Sequence, residues 1–332
     1  MSTNRIYNWK RQPDDSRDLK STRHLSVAKL DLPANFELPA KIPVYDQMAL
    51  GSCTSQSGCA CYRFESFQVL NNFDFEPSRL FLYWYTRFIE GTTNEDSGAY
   101  IRDVFKAMNK YGLCEEKYFP YDISKFKNKP SADANASGLK NVVVKYTAVD
   151  QDLTTMKQTL VSGAAISIGF DVYASFEQGN WDSTTGIMPI PKKNEQILGG
   201  HAVTITGFDD SKQCFLIQNS WGTDWGLSGK FWMPYAYALD PNHADDFWCI
   251  DEIKIADNPP PPDPSVDVLK IAKTLFATGG DLWTVNKSTL LALGKLLSLP
   301  VDPSLSFKKN YNIVAPVLGL APRKLFWSFL ES

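Results

Sequence analysis

The sequence DQMALGSCT at residues 46–54 decides the fold, because it leads directly into a long segment with helical periodicity. From Cys53 to about Leu70, apolar residues recur at the spacing of one helix face. Three of them are Cys61, Phe64 and Phe67. The pattern predicts a helix that begins at Cys53. A thiol in the first turn of a helix gains thiolate character from the positive end of the helix dipole, so Cys53 is a candidate nucleophile, although cysteine is more often a buried, inert residue.

The rest of the first half is predicted to be helical. Ser78 and Ser97 are candidate caps of two further helices, which run through Ile89 and through Lys110, and Gly112 would close the second one.

The second half has the alternation of strands. Residues 164–170 and 201–208 are predicted strands, and residues 214–218 follow after a polar turn. A helical half followed by an antiparallel sheet half is an α+β arrangement, and a cleft between two such halves is where chemistry is expected.

The chain is predicted to consist of four parts. Residues 1–40 are polar and irregular and form an N-terminal arm, and residues 41–257 form the main domain. Residues 258–264, NPPPPDP, can form neither a helix nor a central strand and are a proline-rich linker. Residues 265–332 are rich in Leu, Ala and Lys and are predicted to form a small helical module.

Composition excludes several classes of protein. With 332 residues, 43% hydrophobic and 13% aromatic, the chain can bury a core, and its net charge of −3 makes nucleic acid an improbable partner. No stretch approaches the roughly 20 apolar residues of a membrane span. The N-terminal residues lack the apolar core of a secretory signal, so an intracellular, cytoplasmic location is expected.

The sequence alone does not decide whether the six cysteines are free thiols or form disulfides. Free or buried thiols in a reducing compartment are favoured over a disulfide framework, because the chain is large and has no signal. A zinc site is not expected, since the close pair Cys59 and Cys61 has no second pair or nearby histidine to complete a ligand set.

Only three histidines could serve the thiol as a base, namely His24, His201 and His243. His24 lies in the irregular arm, and His243 lies in a loop rich in carboxylates. His201 opens a predicted strand, which would hold its ring stiffly at the cleft. Taken alone, His201 could equally well be a histidine with a purely structural role.

Asn219 ends the next predicted strand, within the run Asn219-Ser220-Trp221-Gly222. Its amide could accept the imidazole N–H of His201 and fix the tautomer, while the Trp221 indole could shield that contact from water. A turn with a core tryptophan is the alternative interpretation of this run.

Gln47 could donate a side-chain N–H to an oxyanion, beside the backbone N–H of Cys53.

These residues together resemble the four signatures of papain-like cysteine peptidases, in the order of that family. The matching runs are Asp46-Gln47, Gly51-Ser52-Cys53, His201-Ala202-Val203 and Asn219-Ser220-Trp221-Gly222. His201 follows Cys53 by roughly 150 positions, as in papain-like enzymes. The resemblance covers about residues 40–256.

The resemblance implies a two-lobed papain-like fold and hydrolysis of peptide bonds in peptide or protein substrates, without a metal or organic cofactor. It implies that Cys53 and His201 rest as a charged pair and that the reaction passes through an acyl-enzyme. Asn219 would orient His201, and Gln47 would bind the oxyanion. Substrate contacts are expected at Gly98, Gly200 and Trp221.

Two departures place the chain near the non-lysosomal branch of bacteria and large viruses. Leu50 stands where papain and lysosomal cathepsins have a half-cystine, and Thr54 stands where they have an aromatic residue. Only about 50 residues precede Cys53, so the long inhibitory propeptide of these relatives is not expected here, although the arm could still cover the cleft.

Two other functions remain open from sequence alone. One is a non-catalytic binding or structural protein on a peptidase fold, and the other is a transferase or ligase that passes the acyl group to an amine or alcohol. The C-terminal module could pack on the main domain or bind a protein partner.

Overall fold

A computed structural model describes residues 5–13, 15–27, 31–39, 42–70, 75–177 and 184–255. The chain divides into two compact units, of which the first comprises Met1–Ser66 and Phe73–Ala256. The second comprises Phe67–Asn72 and Asp257–Ser332 and lies almost wholly outside the described residues. The predicted linker 258–264 and helical module 265–332 are therefore still predictions.

The described part of the chain contains seven α-helices, three short 3-10 helices and seven strands, and the expected α+β class is confirmed. The helices are α1 Cys53–Leu70, α2 Arg79–Glu90, α3 Ile101–Tyr111, α4 Ala132–Gly138, α5 Leu153–Val161, α6 Ala174–Glu177 and α7 Tyr235–Ala238. The strands are β1 Asn35–Glu37, β2 Asn141–Ala148, β3 Ile166–Tyr173, β4 Ile197–Asp209, β5 Cys214–Gln218, β6 Lys230–Pro234 and β7 Ala244–Ile255.

The strands form one antiparallel sheet in the order β2-β7-β3-β4-β5-β6, and β1 pairs with the end of β4. Strand β4 is the longest and lies between β3 and β5. Its register places Phe170 opposite His201 on one side and Gln218 opposite Thr204 on the other. Because Asn219 directly follows Gln218, the pairing of β4 with β5 brings Asn219 toward His201.

Helix α1 joins the helical half to the sheet. The hydroxyl of Ser57 hydrogen-bonds Ser167 on β3 and the carbonyl of Val203 on β4, each at 2.8 Å. At Gly58 an added Cβ would lie 2.5 Å from Val104 of α3, so the absence of a side chain allows α1 and α3 to pack closely. The N-terminus of α1 is thereby fixed against β3 and β4.

The predicted helix ends were right in part. Ser78 caps α2, since its hydroxyl accepts the N–H of Phe81. The prediction for Ser97 was wrong, because α3 begins at Ile101 after Tyr100, which makes no side-chain cap. The hydroxyl of Ser97 instead hydrogen-bonds within its own loop, to Thr92 and to the carbonyl of Gly98.

All six cysteines are free thiols and all are buried. None of the described helices is long and apolar enough to cross a membrane.

Candidate active site

Cys53 is the first residue of α1 and is fully buried. The first N–H groups of a helix have no intrahelical acceptor, so the backbone N–H of Cys53 is available to an incoming oxygen. Burial raises the pKa of the Cys53 thiol to about 11, and the backbones of Ala202, Asn8 and Thr54 lower it. In this state the thiol is protonated at neutral pH.

His201 near the start of β4 is also fully buried, and its Nε2 lies 2.8 Å from Oδ1 of Asn219. That oxygen also accepts the backbone N–H of Ser220 at 2.8 Å, which fixes the amide orientation. Since Asn219 Oδ1 can only accept, Nε2 of His201 carries the proton, and Nδ1 is the basic nitrogen. Among the described residues Nδ1 has no hydrogen-bond partner.

The indole of Trp221 stacks on the imidazole of His201, with ring centroids 4.8 Å apart and planes 21° apart. Burial lowers the pKa of His201 to about 4, the hydrogen bond that His201 donates to Asn219 raises it, and the charge of Arg5 lowers it further. Burial thus favours the neutral imidazole and the neutral thiol. The charged pair that the family resemblance implies is not favoured in this state.

Gln47 is buried and held at three points. Its Oε1 accepts the hydroxyl of Ser220 at 2.7 Å, and its backbone N–H donates to the carbonyl of Ser220 at 2.9 Å. Its Nε2 donates to the carbonyls of Leu50 at 3.0 Å and of Ile6 at 3.4 Å. Because a carbonyl oxygen can only accept, the end of the amide that faces the carbonyls of Leu50 and Ile6 is Nε2.

The sequence of residues 38–238 matches the profile of the family described as "Papain family cysteine protease", which is more than half of the chain. The chain belongs to the papain family. It is a cysteine-type peptidase that hydrolyses peptide bonds through a thiolate and an acyl-enzyme.

Relatives of this papain-family chain include viral, bacterial and protozoan proteins. It is 40% identical over 259 residues to the uncharacterized peptidase C1-like protein L477 of Acanthamoeba polyphaga mimivirus, covering 75% of this chain and 83% of the relative. It is 38% identical to xylellain, a cysteine protease of Xylella fastidiosa, whose crystal structure it matches with a TM-score of 0.68 over 76% of this chain and 96% of that chain. The cathepsin B-like CP2 of Giardia intestinalis is 27% identical over 62% of this chain and 70% of the relative.

The cleft of this papain-family chain is occupied by its own N-terminal arm. Residues 5–12, which we call the cleft segment, pass between the loop at Gly98 and the start of β4. Asn8 pairs with Gly200 and Trp9 with Ala99 as isolated parallel bridges. The backbone N–H of Trp9 donates to the carbonyl of Gly200 at 2.8 Å.

The cleft segment also covers the residues around His201. The ring of Tyr7 meets the rings of His201 and Trp221 edge-on, with both centroids at 6.1 Å. The guanidinium of Arg5 lies 4.2 Å from the Trp221 ring, and both Arg5 and Tyr7 hydrogen-bond the carboxylate of Glu177.

The residues predicted to bind substrate therefore contact this segment. Gly98, with φ of +66°, has no side chain to collide with the carbonyl of Asn8, which would lie 1.8 Å from a Cβ. Gly200 accepts a backbone hydrogen bond, and Trp221 lies under Arg5.

Sequence reasoning missed Asp96, which supports the loop before Cys53. Both carboxylate oxygens of Asp96 lie 3.0 Å from the backbone nitrogen of Gly51, and the hydroxyl of Tyr83 donates to the same carboxylate at 2.5 Å. No local pattern marks such a residue, because it acts on a loop 45 positions away.

Proposed function

We propose that Cys53, His201, Asn219 and Gln47 perform the peptidase reaction, and that the cleft segment holds the chain in a latent state. The observation that supports the proposal most directly is that the side-chain amide of Gln47 already binds a peptide carbonyl of the cleft segment. Its Nε2 faces the carbonyl of Ile6, which stands in for the carbonyl oxygen of a substrate.

The reaction begins with transfer of the Cys53 proton to Nδ1 of His201. The thiolate attacks the peptide carbonyl, and the tetrahedral oxyanion accepts hydrogen bonds from Gln47 Nε2 and the backbone N–H of Cys53. Asn219 Oδ1 holds the Nε2–H of His201, so that the imidazolium stays oriented as it forms.

Collapse of this intermediate breaks the C–N bond, and His201 returns the proton to the leaving amine. Water then attacks the acyl-enzyme and gives a proton to His201, and Cys53 regains its proton as the acid product leaves. The ring of Trp221 over His201 keeps other water away from the bond to Asn219 and strengthens it.

Departure of the cleft segment is required for this chemistry, because Tyr7 and Asn8 lie against the site. Its departure also re-exposes both groups to water, which returns the pKa of the Cys53 thiol and of the His201 imidazole toward their ordinary values. The thiolate–imidazolium pair then forms more readily.

Labelling by an epoxysuccinyl peptide, followed by peptide mapping, tests the proposal in the chain carrying Trp9→Ala, which weakens the hold of the cleft segment on the cleft. We expect modification at Cys53 alone, lost in Cys53→Ala and in His201→Ala, with turnover of a peptide substrate lowered by roughly 10³–10⁶-fold in both. Cys214→Ala is the matched control, since this thiol lies on β5 and contacts the carbonyl of Lys212. Labelling that is unchanged in His201→Ala, or directed to another cysteine, contradicts the assignment.

A further inference from the structure

The turn before Cys53 connects the two donors proposed for the oxyanion. The carbonyl of Leu50 accepts Nε2 of Gln47 at 3.0 Å and the backbone N–H of Ser52 at 2.8 Å. Cys53 follows Ser52 as the first residue of α1. Because a peptide unit is planar and rigid, rotation of the Leu50–Gly51 peptide moves both the acceptor of Gln47 and the backbone that leads to Cys53. The direction of this one peptide plane therefore sets the geometry of both donors.

The N–H of the same peptide is held by Asp96. Both carboxylate oxygens of Asp96 lie 3.0 Å from the backbone nitrogen of Gly51. A Cβ on Gly51 would lie 2.9 Å from this carboxylate, so the absence of a side chain allows the close approach. A hydrogen bond to a charged acceptor is roughly twice as strong as one between neutral groups. No disulfide ties this turn, because all six cysteines are free thiols, and Asp96 is the group that fixes the plane from its N–H side.

The carboxylate of Asp96 is itself held from α2. The hydroxyl of Tyr83 donates to it at 2.5 Å and accepts the backbone N–H of Gly98 at 3.2 Å. Burial raises the pKa of the Tyr83 hydroxyl well above its ordinary value, so this group stays protonated and remains a donor. A continuous series of hydrogen bonds thus runs from Gly98 through Tyr83 and Asp96 to Gly51.

A carboxylate at this place has an electrostatic cost for the reaction. Burial raises the pKa of the Cys53 thiol, and the negative charge of Asp96 raises it further. The same charge opposes the oxyanion that forms beside Cys53. An uncharged side chain would avoid both effects, so the electrostatics of the site do not account for Asp96. The hydrogen bond to Gly51 is the contact that offsets this cost.

We propose that Asp96 is a positioning residue of the peptidase reaction, which directs both oxyanion donors by fixing the Leu50–Gly51 peptide. The inference rests on the proposed function, because it takes Gln47 and Cys53 as those donors. Asp96 acts through Gly51 and not by touching the reacting atoms. Since the oxyanion forms only as the carbonyl is attacked, the effect of Asp96 belongs to the transition state and should appear in kcat.

Two reactions of Cys53 test the proposal in the full chain carrying Trp9→Ala, which weakens the hold of the cleft segment. Hydrolysis of a fluorogenic peptide uses the oxyanion donors, whereas alkylation by iodoacetamide uses only the thiolate. For Asp96→Ala we expect kcat to fall by about 10–100-fold with KM changed by less than about threefold, as misdirected donors lose part of their effect. The rate of Cys53 alkylation at pH 7, measured by peptide mapping, should be equal or higher, because a negative charge near the thiol is removed.

Two further variants separate the hydrogen bond from the charge. Asp96→Asn keeps an acceptor for the N–H of Gly51 without the charge, and its kcat should stay within about fivefold of that of the Trp9→Ala chain. Glu95→Ala removes a carboxylate from the exposed neighbouring position and should leave both rates unchanged. Asn8 of the cleft segment donates to the backbone carbonyl of Asp96 at 2.9 Å, a contact that these substitutions keep.

A parallel fall of kcat and of the alkylation rate in Asp96→Ala overturns the proposal, because it reports a disturbed fold or cleft and not misdirected donors. A loss confined to KM, or a kcat within about threefold of that of the Trp9→Ala chain, overturns it too. So does an Asp96→Asn variant that is as slow as Asp96→Ala. Absence of both hydrolysis and Cys53 labelling in the Trp9→Ala chain itself overturns the proposed function, and this inference with it.

Discussion

Nε2 of Gln47 lies 3.4 Å from the carbonyl oxygen of Ile6. The amide proposed to bind the oxyanion is thus already engaged by the chain itself. Nearby, Tyr7 covers the imidazole and Trp9 fills the adjacent pocket. A segment of eight residues therefore occupies the part of the cleft that the proposed function assigns to the substrate.

Replacing Gln47 by alanine should lower kcat by about 10²–10³-fold, because one oxyanion donor is lost. Ser220→Ala, which removes the hydroxyl that holds Oε1 of Gln47, should lower kcat by roughly tenfold. Both variants should still be alkylated at Cys53 after release of the cleft segment. Steady-state kinetics measure the loss, and Gln213→Ala, an exposed glutamine, is the control. A change in KM with kcat unchanged contradicts the oxyanion role.

Weakening the cleft segment should activate the chain. Trp9→Ala removes the buried indole and its hydrogen bond to Asp246, which together stabilise the closed state by several kcal/mol. We expect kcat/KM of the full chain to rise by at least about tenfold, as more of the protein has an open cleft. Arg17→Ala serves as the control, since Arg17 is exposed and pairs with Asp15 within the arm. Equal activity of Trp9→Ala and the unaltered chain would show that the segment does not block the cleft.

The pH at which Cys53 reacts should depend on the cleft segment. Burial raises the pKa of this thiol to about 11, and only the thiolate is alkylated, so the rate of alkylation rises with pH and levels off only above pH 11. At pH 7 roughly one thiol in 10⁴ is ionised. In Trp9→Ala the thiol is less buried, and the midpoint should move to lower pH.

Iodoacetamide labelling across pH, quantified by peptide mapping, measures this shift. Cys249 is an internal reference, because burial raises its pKa to about 11 as well and it contacts Ser21 and Thr147 rather than the cleft segment. An alkylation rate of Cys53 in the unaltered chain that is half-maximal below about pH 8.5 would contradict the prediction.

Much of the fold follows from local patterns in the sequence. Helix α1 spans the predicted residues from Cys53 to Leu70, and β5 has the predicted bounds 214–218. Strand β3 runs three residues beyond its predicted end, to Tyr173, because pairing with β4 continues there. The prediction for Ser97 failed although a serine before an amphipathic run is typical of a helix cap. In the structure its hydroxyl bonds to nearer partners in its own loop.

The candidate residues could be selected from sequence because each lies in a short run with characteristic neighbours. The path of the cleft segment could not be predicted. The contact between Trp9 and Asp246 joins residues 237 positions apart, and it depends on two glycines, Gly169 and Gly200, whose missing side chains leave space for the indole. Such complementarity is a property of packed surfaces and leaves no periodic signal in the chain.

Arg87 on α2 shows how a buried cation can support a functional loop. Its side chain is fully buried, and its guanidinium lies 4.1 Å from the Tyr83 ring. It donates to the carbonyls of Thr93 and Glu95 at 2.9 Å and of Phe126 at 2.5 Å. The first two lie in the loop that leads to Gly98 at the cleft.

Replacing Arg87 by methionine keeps most of the volume but leaves three carbonyls without these donors, at a cost of about 1–3 kcal/mol each when buried. We expect the free energy of unfolding to fall by ~3 kcal/mol or more, seen in urea as a lower midpoint at an unchanged slope. Arg17→Met, at an exposed position of the arm, should change it by less than ~0.5 kcal/mol. A loss below ~1 kcal/mol in Arg87→Met would mean that water or other donors satisfy these carbonyls, and that the loop holds its shape without the guanidinium.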